Sequence, residues 1–165
     1  MKNTAFTLIT ENHDTKDYVL KNSLDKGSSL EMAQRILAEI MIFRRVPEAV
    51  RLCDRGCQKC ASAYLPKIIS AVKQNEPVTF ILPAFPGKSP NPEKVLGPLP
   101  DYAERLSLHF LGTLCQRIKK IYTPGIKIVL CSDGRVFSDV VGMEEANVTA
   151  YQVDLEKLIK EMSFA

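Results

Sequence analysis

The strongest constraint on the fold is a pattern of two short apolar runs separated by one long amphipathic segment. The runs occupy residues 78–83 and 126–131, and residues typical of turns precede each of them. The nearly continuous apolar run at 126–131 predicts a strand that is covered on both faces. Between the runs, residues 101–122 carry apolar side chains at intervals of three and four, as one face of a helix requires, and Asp101 can cap this helix. A strand, a helix and a second strand in this order predict a right-handed βαβ unit with parallel strands. The expected fold class is therefore α/β, with a Rossmann-like βαβ core.

Helices are predicted on the N-terminal side of this core. Ser28 and Glu31 have the spacing of a capping box, and an amphipathic pattern over residues 28–45 follows from that start. A second apolar stripe runs over residues 50–64. Pro66 interrupts this stripe and is expected to begin a further set of turns, since proline is well tolerated in the first turn of a helix.

The domain organisation predicted from these patterns is simple. Residues 1–27 are poorly determined, although residues 5–10 can add a short strand, and residues 28–165 are expected to form one α/β domain. A last helix is expected near the end of the chain, with Asn147 as its cap. A sheet of two or three parallel strands has bare edges, which folded proteins usually cover or pair. The sheet is therefore expected to be incomplete in this chain.

The composition excludes several classes of protein. The 165 residues are 45% apolar and 25% charged, with a net charge of only +3. The basic residues are scattered, so no nucleic-acid partner is expected. No apolar run approaches the roughly 20 residues of a membrane span, so no membrane partner is expected either. Five cysteines without a signal-peptide core predict free thiols and a cytoplasmic location.

A pair of cysteines raises the question of a metal or redox site. Cys57 and Cys60 have the spacing of such a pair, but a zinc site usually takes four ligands and the sequence offers no second pair. Together with Cys53, the two cysteines continue the apolar stripe of a predicted helix. We therefore expect all three to be buried, reduced and free of metal.

The loop after the first core strand contains four prolines between residues 83 and 92 and is expected to be stiff. Its Gly87-Lys88-Ser89 sequence is similar to the end of a phosphate-binding loop. That motif also needs a glycine where Leu82 stands, so binding of a nucleoside triphosphate is not expected. Lys88 remains a lone cation beyond a strand, and an ordinary exposed lysine is the alternative interpretation.

Polar residues follow the second core strand abruptly, and in open α/β sheets ligands bind beyond the carboxyl ends of strands. An ordinary turn at Asp133 and Gly134 is the alternative interpretation, but it leaves the next polar residues unexplained. Asp133 and Asp139 are candidates for proton transfer, and Arg135 is a candidate for positioning a substrate. The sequence leaves open whether these side chains converge. The polar residues concerned are Ser132, Asp133, Arg135, Ser138 and Asp139.

Two long motifs in this chain are similar to one protein family. The first is Ile-Leu-Pro-Ala-Phe-Pro-Gly-Lys-Ser-Pro-Asn at residues 81–91, continued by residues 94–101, and the second is Cys-Ser-Asp-Gly-Arg-Val-Phe-Ser-Asp at residues 131–139. Their order, and the helix between them, resemble the pyoverdine/dityrosine biosynthesis family, which includes the isocyanide synthases. The resemblance spans about residues 30–160. One departure is Gly87, where the family would have alanine, and glycine there is expected to loosen the loop slightly.

The resemblance implies an enzyme that condenses the α-amine of an aromatic amino acid, tyrosine or tryptophan, with ribulose 5-phosphate as co-substrate. It implies no other cofactor and no metal. Its catalytic residues would be Asp133, Asp139 and Lys88. Its substrate-binding residues would be Ser89, Asn91, Ser132, Arg135 and Ser138.

Members of this family are longer than the present chain, which resembles their N-terminal portion. The alternative to a synthase is therefore a non-catalytic fragment of the same fold that binds a sugar phosphate or a partner. A homo-oligomer or a C-terminal half absent from this sequence is expected to cover the edge of the sheet.

Overall fold

The computed structural model describes residues 4–8, 26–42, 58–132 and 134–162. Within these residues the chain forms an α/β fold with three strands and five helices. The predicted strand–helix–strand core is confirmed. In chain order the elements are β1 (Thr4–Leu8), α1 (Lys26–Met41), α2 (Gln58–Gln74), β2 (Val78–Pro83), α3 (Tyr102–Ile121), β3 (Ile126–Ser132), α4 (Gly134–Val141) and α5 (Glu145–Glu161).

The three strands form one sheet in the order β1-β3-β2. The Val78 N–H donates to the Gly125 carbonyl at 3.1 Å. Six residues later on both segments, the Ala84 N–H donates to the Cys131 carbonyl at 3.2 Å, so β2 and β3 run parallel. The predicted N-terminal strand is present, but it pairs antiparallel with β3. The expectation of an all-parallel sheet is therefore wrong. The segment between β1 and β3 includes three helices and β2, and a connection of that length allows either strand direction.

In β2 and β3, one face of the strand is more deeply buried than the other. Along β3 the residues alternate between buried and half-buried, although the continuous apolar run predicted burial on both faces. On β2, Ile81 is 71% exposed. A continuous apolar run therefore does not ensure burial on both faces of a strand, since one face can stay partly open to solvent.

The residues group into two compact units, and each has its own core. Unit 1 contains Met1–Glu11, Thr79–Thr113 and Lys127–Ala165, and unit 2 contains Asn12–Val78 and Leu114–Ile126. In unit 2, α1 packs against α2, and the Tyr122 hydroxyl donates to the Glu76 carbonyl at 2.7 Å. The buried residues of unit 1 include Leu108, Leu130, Val148, Tyr151 and Leu155, and those of unit 2 include Ala33, Ile36, Ile68, Val72 and Ile118.

Three predicted helix boundaries are wrong. Helix α1 begins at Lys26, so Ser28 lies inside the helix and cannot be its N-cap, which requires a non-helical backbone. Asn147 lies in the first turn of α5, whose N-cap is Glu144. Pro66 lies inside α2 and does not begin a new helix. In each case the neighbouring helical turns extend past a residue that local propensity alone marks as a boundary.

Most of the predicted cysteine cluster lies outside the described residues. Cys53 and Cys57 are not among them, and Cys60 is described only as part of the α2 backbone. Their burial and freedom from metal stay a prediction. Of the described cysteines, Cys115 and Cys131 are free thiols, and burial raises the pKa of Cys115 to about 11. Among the described helices, none combines the length and the apolar character of a membrane span.

Candidate functional site

The loops that follow β2 and β3 meet within unit 1. The Ser132 hydroxyl, at the end of β3, donates to the Phe85 carbonyl at 2.9 Å. Gly134, the first residue of α4, lies so close to the same loop that a Cβ atom there would be 1.7 Å from the Pro86 carbonyl oxygen. The two sequence motifs therefore meet at the end of the sheet where β2 and β3 terminate, as expected for the carboxyl ends of neighbouring parallel strands. Asp133, between these residues, lies outside the described residues.

Helix α4 occupies the place where the sequence predicted a polar loop. Its apolar side chains are exposed, so they do not mark the buried face by which an amphipathic helix is normally recognised. The interpretation of residues 133 and 134 as an ordinary turn is also incomplete, since Gly134 already belongs to the helix. The exposed apolar residues of α4 are Val136, Phe137, Val140 and Val141.

The loop after β2 leaves the strand through two residues with positive φ. Phe85 has a φ of 58° and Gly87 a φ of 144°. Only glycine adopts the second conformation readily, and a Cβ atom at this position would lie 3.2 Å from the Met143 sulfur. Gly87 therefore suits the backbone that this loop adopts. The expectation that glycine loosens the loop slightly stays a prediction.

Lys88 is the charged centre of the site. Its Nζ lies 2.6 Å from Glu104 Oε2 and 3.0 Å from Asp101 Oδ2. The side chains of Lys88 and Glu104 are only 9% and 10% exposed. Burial lowers the pKa of Lys88, but the hydrogen bonds to Glu104 and Asp101 outweigh it, and the pKa is raised. Lys88 is therefore a fixed, protonated cation and not an ordinary exposed lysine.

The two carboxylates that hold Lys88 also begin α3. Asp101 Oδ1 accepts the Ala103 N–H at 2.8 Å, and Glu104 Oε2 accepts the Asp101 N–H at 2.8 Å. This reciprocal pattern is a capping box, so the predicted cap at Asp101 is confirmed. The hydrogen bond from the Ala103 N–H, and to a smaller extent the hydrogen bond from Lys88, lowers the pKa of Asp101. Glu104 was missed by sequence reasoning, although its spacing of three from Asp101 is the signal that identifies it.

Tyr151 completes the cluster from α5. Its hydroxyl donates to Glu104 Oε1 at 3.1 Å, and its side chain is buried. Burial, followed by the charge of Glu104, raises the pKa of Tyr151, so its hydroxyl stays a hydrogen-bond donor at neutral pH. The sequence showed Tyr151 only as one member of an apolar stripe.

A pocket of about 310 Å³ lies beside Lys88. One wall comes from the loop between β2 and α3, and the other comes from residues 142–148. Small-molecule sites typically have volumes of about 300–1,000 Å³, with mostly apolar walls and a few polar groups. The volume of this pocket lies at the lower end of that range. Its lining mixes proline, valine, leucine and methionine side chains with the polar residues Lys88, Ser89, Glu144 and Asn147.

Ser89 and Asn91, both predicted to bind substrate, shape the loop. The Ser89 hydroxyl accepts the Asn91 N–H at 3.2 Å, and Asn91 Oδ1 accepts the Glu93 N–H at 2.8 Å. Of the two, Ser89 lines the pocket beside Lys88. Their predicted contacts with substrate stay predictions.

The predicted residues of α4 lie along that helix. Arg135 donates from Nη1 to Glu145 Oε1 and from Nη2 to Thr149 Oγ1, both at 2.9 Å. Ser138 is buried, and its hydroxyl lies 3.4 Å from the Arg135 carbonyl. Asp139 is exposed. None of these three residues lines the pocket beside Lys88, so the structure brings together only part of the predicted set.

Comparisons with known proteins agree with the two motifs. The sequence profile of the pyoverdine/dityrosine biosynthesis proteins matches residues 68–165. The chain is 47% identical over 133 residues to the L-tryptophan isonitrile synthase AmbI1 of Fischerella ambigua. It is 49% identical over 132 residues to the L-tyrosine isonitrile synthase of Xenorhabdus nematophila. These alignments cover 80% and 79% of this chain, but 42% and 39% of the two relatives.

A solved structure is also similar to this chain. The crystal structure of PvcA from Pseudomonas aeruginosa superposes with a TM-score of 0.73 and 46% sequence identity. The match covers 81% of this chain and 43% of PvcA. The chain thus spans about two-fifths of the length of the curated relatives that it matches. It belongs to the pyoverdine/dityrosine biosynthesis protein family.

Proposed function

We propose that this chain is part of an isocyanide synthase that condenses the α-amine of tyrosine or tryptophan with ribulose 5-phosphate. The observation that carries the proposal is the 47–49% identity to relatives named as L-tryptophan and L-tyrosine isonitrile synthases. The family profile matches residues 68–165, which include the loops that follow β2 and β3. No further cofactor and no metal are part of the proposal.

The proposal gives roles to individual residues. Lys88 donates to an oxygen atom of a reactant, because an ammonium group has three N–H donors and the two carboxylates occupy two of them. Asp133 and Asp139 transfer protons during imine formation and fragmentation of the sugar. The support is strongest for Lys88, which is fixed beside a pocket of suitable size. The residues proposed to contact the reactants are Ser89, Asn91, Ser132, Arg135 and Ser138.

The remaining length of the relatives is expected to complete the architecture. We infer that β2 and β3, which α3 connects, begin a Rossmann-like sheet. Further polypeptide or a second copy of the chain extends this sheet beyond β2. The position of β2 at one end of the strand order supports this inference, and the exposed Ile81 and the exposed apolar residues of α4 offer apolar surface that further polypeptide can cover. The cytoplasmic location stays a prediction.

A second candidate function is a non-catalytic module that binds a sugar phosphate or a partner polypeptide. The observation in its favour is the pocket beside Lys88, which residues of this chain form by themselves. In this case the pocket binds its ligand without chemistry. Calorimetric titration of the 165-residue chain with ribulose 5-phosphate measures that binding directly.

A chimera tests the catalytic proposal. In this chimera, the present chain replaces the matching segment of the L-tyrosine isonitrile synthase of Xenorhabdus nematophila. The purified protein is incubated with ribulose 5-phosphate and either L-tyrosine or L-tryptophan, and mass spectrometry detects the isonitrile product. We expect product from the chimera and from the parent synthase, and none from the 165-residue chain alone. A chimera that is folded by circular dichroism but makes no isonitrile from either amino acid contradicts the proposal.

A further inference from the structure

One chain of buried polar contacts links α5 to the loop at Lys88. The Tyr151 hydroxyl donates to Glu104 Oε1, and Glu104 Oε2 lies 2.6 Å from Lys88 Nζ. All three side chains are buried or nearly so. A buried polar group that loses its partner is costly, so such a chain holds its members in one arrangement.

A second chain links the next residue of α5 to the same loop. Gln152 Nε2 donates to Ser132 Oγ at 3.1 Å, and the Ser132 hydroxyl donates to the Phe85 carbonyl at 2.9 Å. Gln152 and Ser132 are both buried. Phe85 has a positive φ, a backbone conformation that residues other than glycine rarely adopt without support from their surroundings. The bond to its carbonyl supplies that support.

The two chains begin at adjacent residues of α5 and end three residues apart in the loop. Gly87 and Lys88, which line the pocket, therefore lie at or between the two points of attachment. The opposite wall, residues 142–148, runs directly into the first turn of α5. One helix thus holds both walls of the pocket.

We propose that Tyr151, Gln152 and Glu104 are positioning residues of the candidate site. They fix residues 85–88 so that the pocket keeps its shape and Lys88 presents its ammonium group in one place. Lys88 is accordingly a fixed donor and not a mobile proton carrier. The structural part of this inference rests on the present chain alone, whereas its consequence for catalysis rests on the proposed function.

Limited proteolysis measures how firmly the loop is held. Trypsin cleaves after a lysine only when that side chain enters the protease, so cleavage between Lys88 and Ser89 requires Lys88 to leave its carboxylates. Lys94 lies in the same loop, is exposed and serves as the internal reference. When closing is fast compared with cleavage, the rate reports the population of the open loop. Mass spectrometry follows the two cleavages in one digest.

Two variants and one control test the inference. Tyr151→Phe and Gln152→Met each remove one hydrogen bond while nearly preserving side-chain shape. Each is expected to raise the ratio of Lys88 to Lys94 cleavage about fivefold, the effect of one ordinary hydrogen bond. Tyr122→Phe removes a buried hydroxyl that is hydrogen-bonded in unit 2, and it should leave the ratio unchanged.

Two outcomes of this digest overturn the inference. One is a wild-type chain cut as quickly after Lys88 as after Lys94. The other is a ratio that does not change in Tyr151→Phe and Gln152→Met. Tyr122→Phe controls for general destabilisation, because it also removes a hydrogen-bonded hydroxyl but lies in unit 2, whereas the loop lies in unit 1.

Kinetics of the chimera described above test the consequence for catalysis. Tyr151→Phe and Gln152→Met should lower kcat by about tenfold or more with a smaller change in KM, since a misplaced group weakens the transition state most. Tyr122→Phe should leave both constants nearly unchanged. If the chimera is active and all three variants match it, the positioning role is wrong while the proposed function stands. If the chimera is inactive, the proposed function fails, and the digest still decides whether α5 holds the loop.

Discussion

Removing the charge of Lys88 should destabilise the chain far more than removing an exposed lysine charge. In Lys88→Met the side chain keeps a similar length but loses its ammonium group, and Glu104 and Asp101 lose their shared partner. Breaking a buried ion pair from one side typically costs about 3–5 kcal/mol, because the remaining charge stays buried.

The structure favours the lower end of that range. Glu104 keeps two donors, the Asp101 N–H and the Tyr151 hydroxyl. The Asp101 side chain is 33% exposed, so water can solvate its carboxylate. We therefore expect the free energy of unfolding to fall by about 3 kcal/mol, which corresponds to a Tm lower by about 6–12 °C for a chain of this size.

Urea unfolding followed by circular dichroism measures this loss, and Lys157→Met is the matched control. Lys157 lies 2.8 Å from Asp154, but the pair is exposed and should contribute little to stability, because water screens the attraction. Adding Glu104→Gln to Lys88→Met should restore part of the loss, since it removes the unpaired buried charge. Its amide oxygen still accepts the Asp101 N–H, and its amide NH2 can donate to the Tyr151 hydroxyl. Equal unfolding free energies for Lys88→Met and Lys157→Met would refute the reasoning.

The pH dependence of this difference has a defined sign. The folded pKa of Asp101 is below its usual 3.8, so its contribution is present above that pH and is lost as the pH falls through the folded value. The folded pKa of Lys88 is above its usual 10.5, so its contribution is present below that pH and is lost as the pH rises through the folded value. The difference in the free energy of unfolding between wild type and Lys88→Met should therefore be constant between these two pH limits and become smaller outside them.

Two further substitutions have expected effects of opposite sign. Gly134→Ala should lower the free energy of unfolding by about 1–3 kcal/mol, since its Cβ atom would overlap the Pro86 carbonyl; Gly97→Ala, with nothing within 4 Å, is the control. Thermal unfolding measures both, and a Gly134→Ala chain as stable as wild type would contradict the close approach. Ser29→Ala should raise stability by about 1 kcal/mol, because the buried Ser29 hydroxyl has no hydrogen-bond partner among the described residues. Ser28→Ala, at a half-buried neighbouring position, should change stability less, and equal effects of the two would contradict the assignment.

The sequence alone was sufficient for the parts of the fold that depend on local order. The strand–helix–strand core follows from hydrophobic periodicity, and the start of α3 follows from an acidic cap. The two motifs identify the family. Lys88 could also be singled out, because it is a cation in a loop just beyond a predicted strand. Each of these features is encoded within a few neighbouring residues.

Only the tertiary structure decided what the candidate site is built from. Glu104 and Tyr151 are 47 residues apart, as are Phe85 and Ser132, and no local pattern indicates that their side chains meet. The antiparallel direction of β1 is likewise a tertiary feature, since the long connection from β1 to β3 allows either direction. Hydrogen bonds and ion pairs between distant segments form only after hydrophobic packing has brought the elements together. For that physical reason, the sequence determined the elements of this protein, while the tertiary structure determined the contacts that hold its pocket.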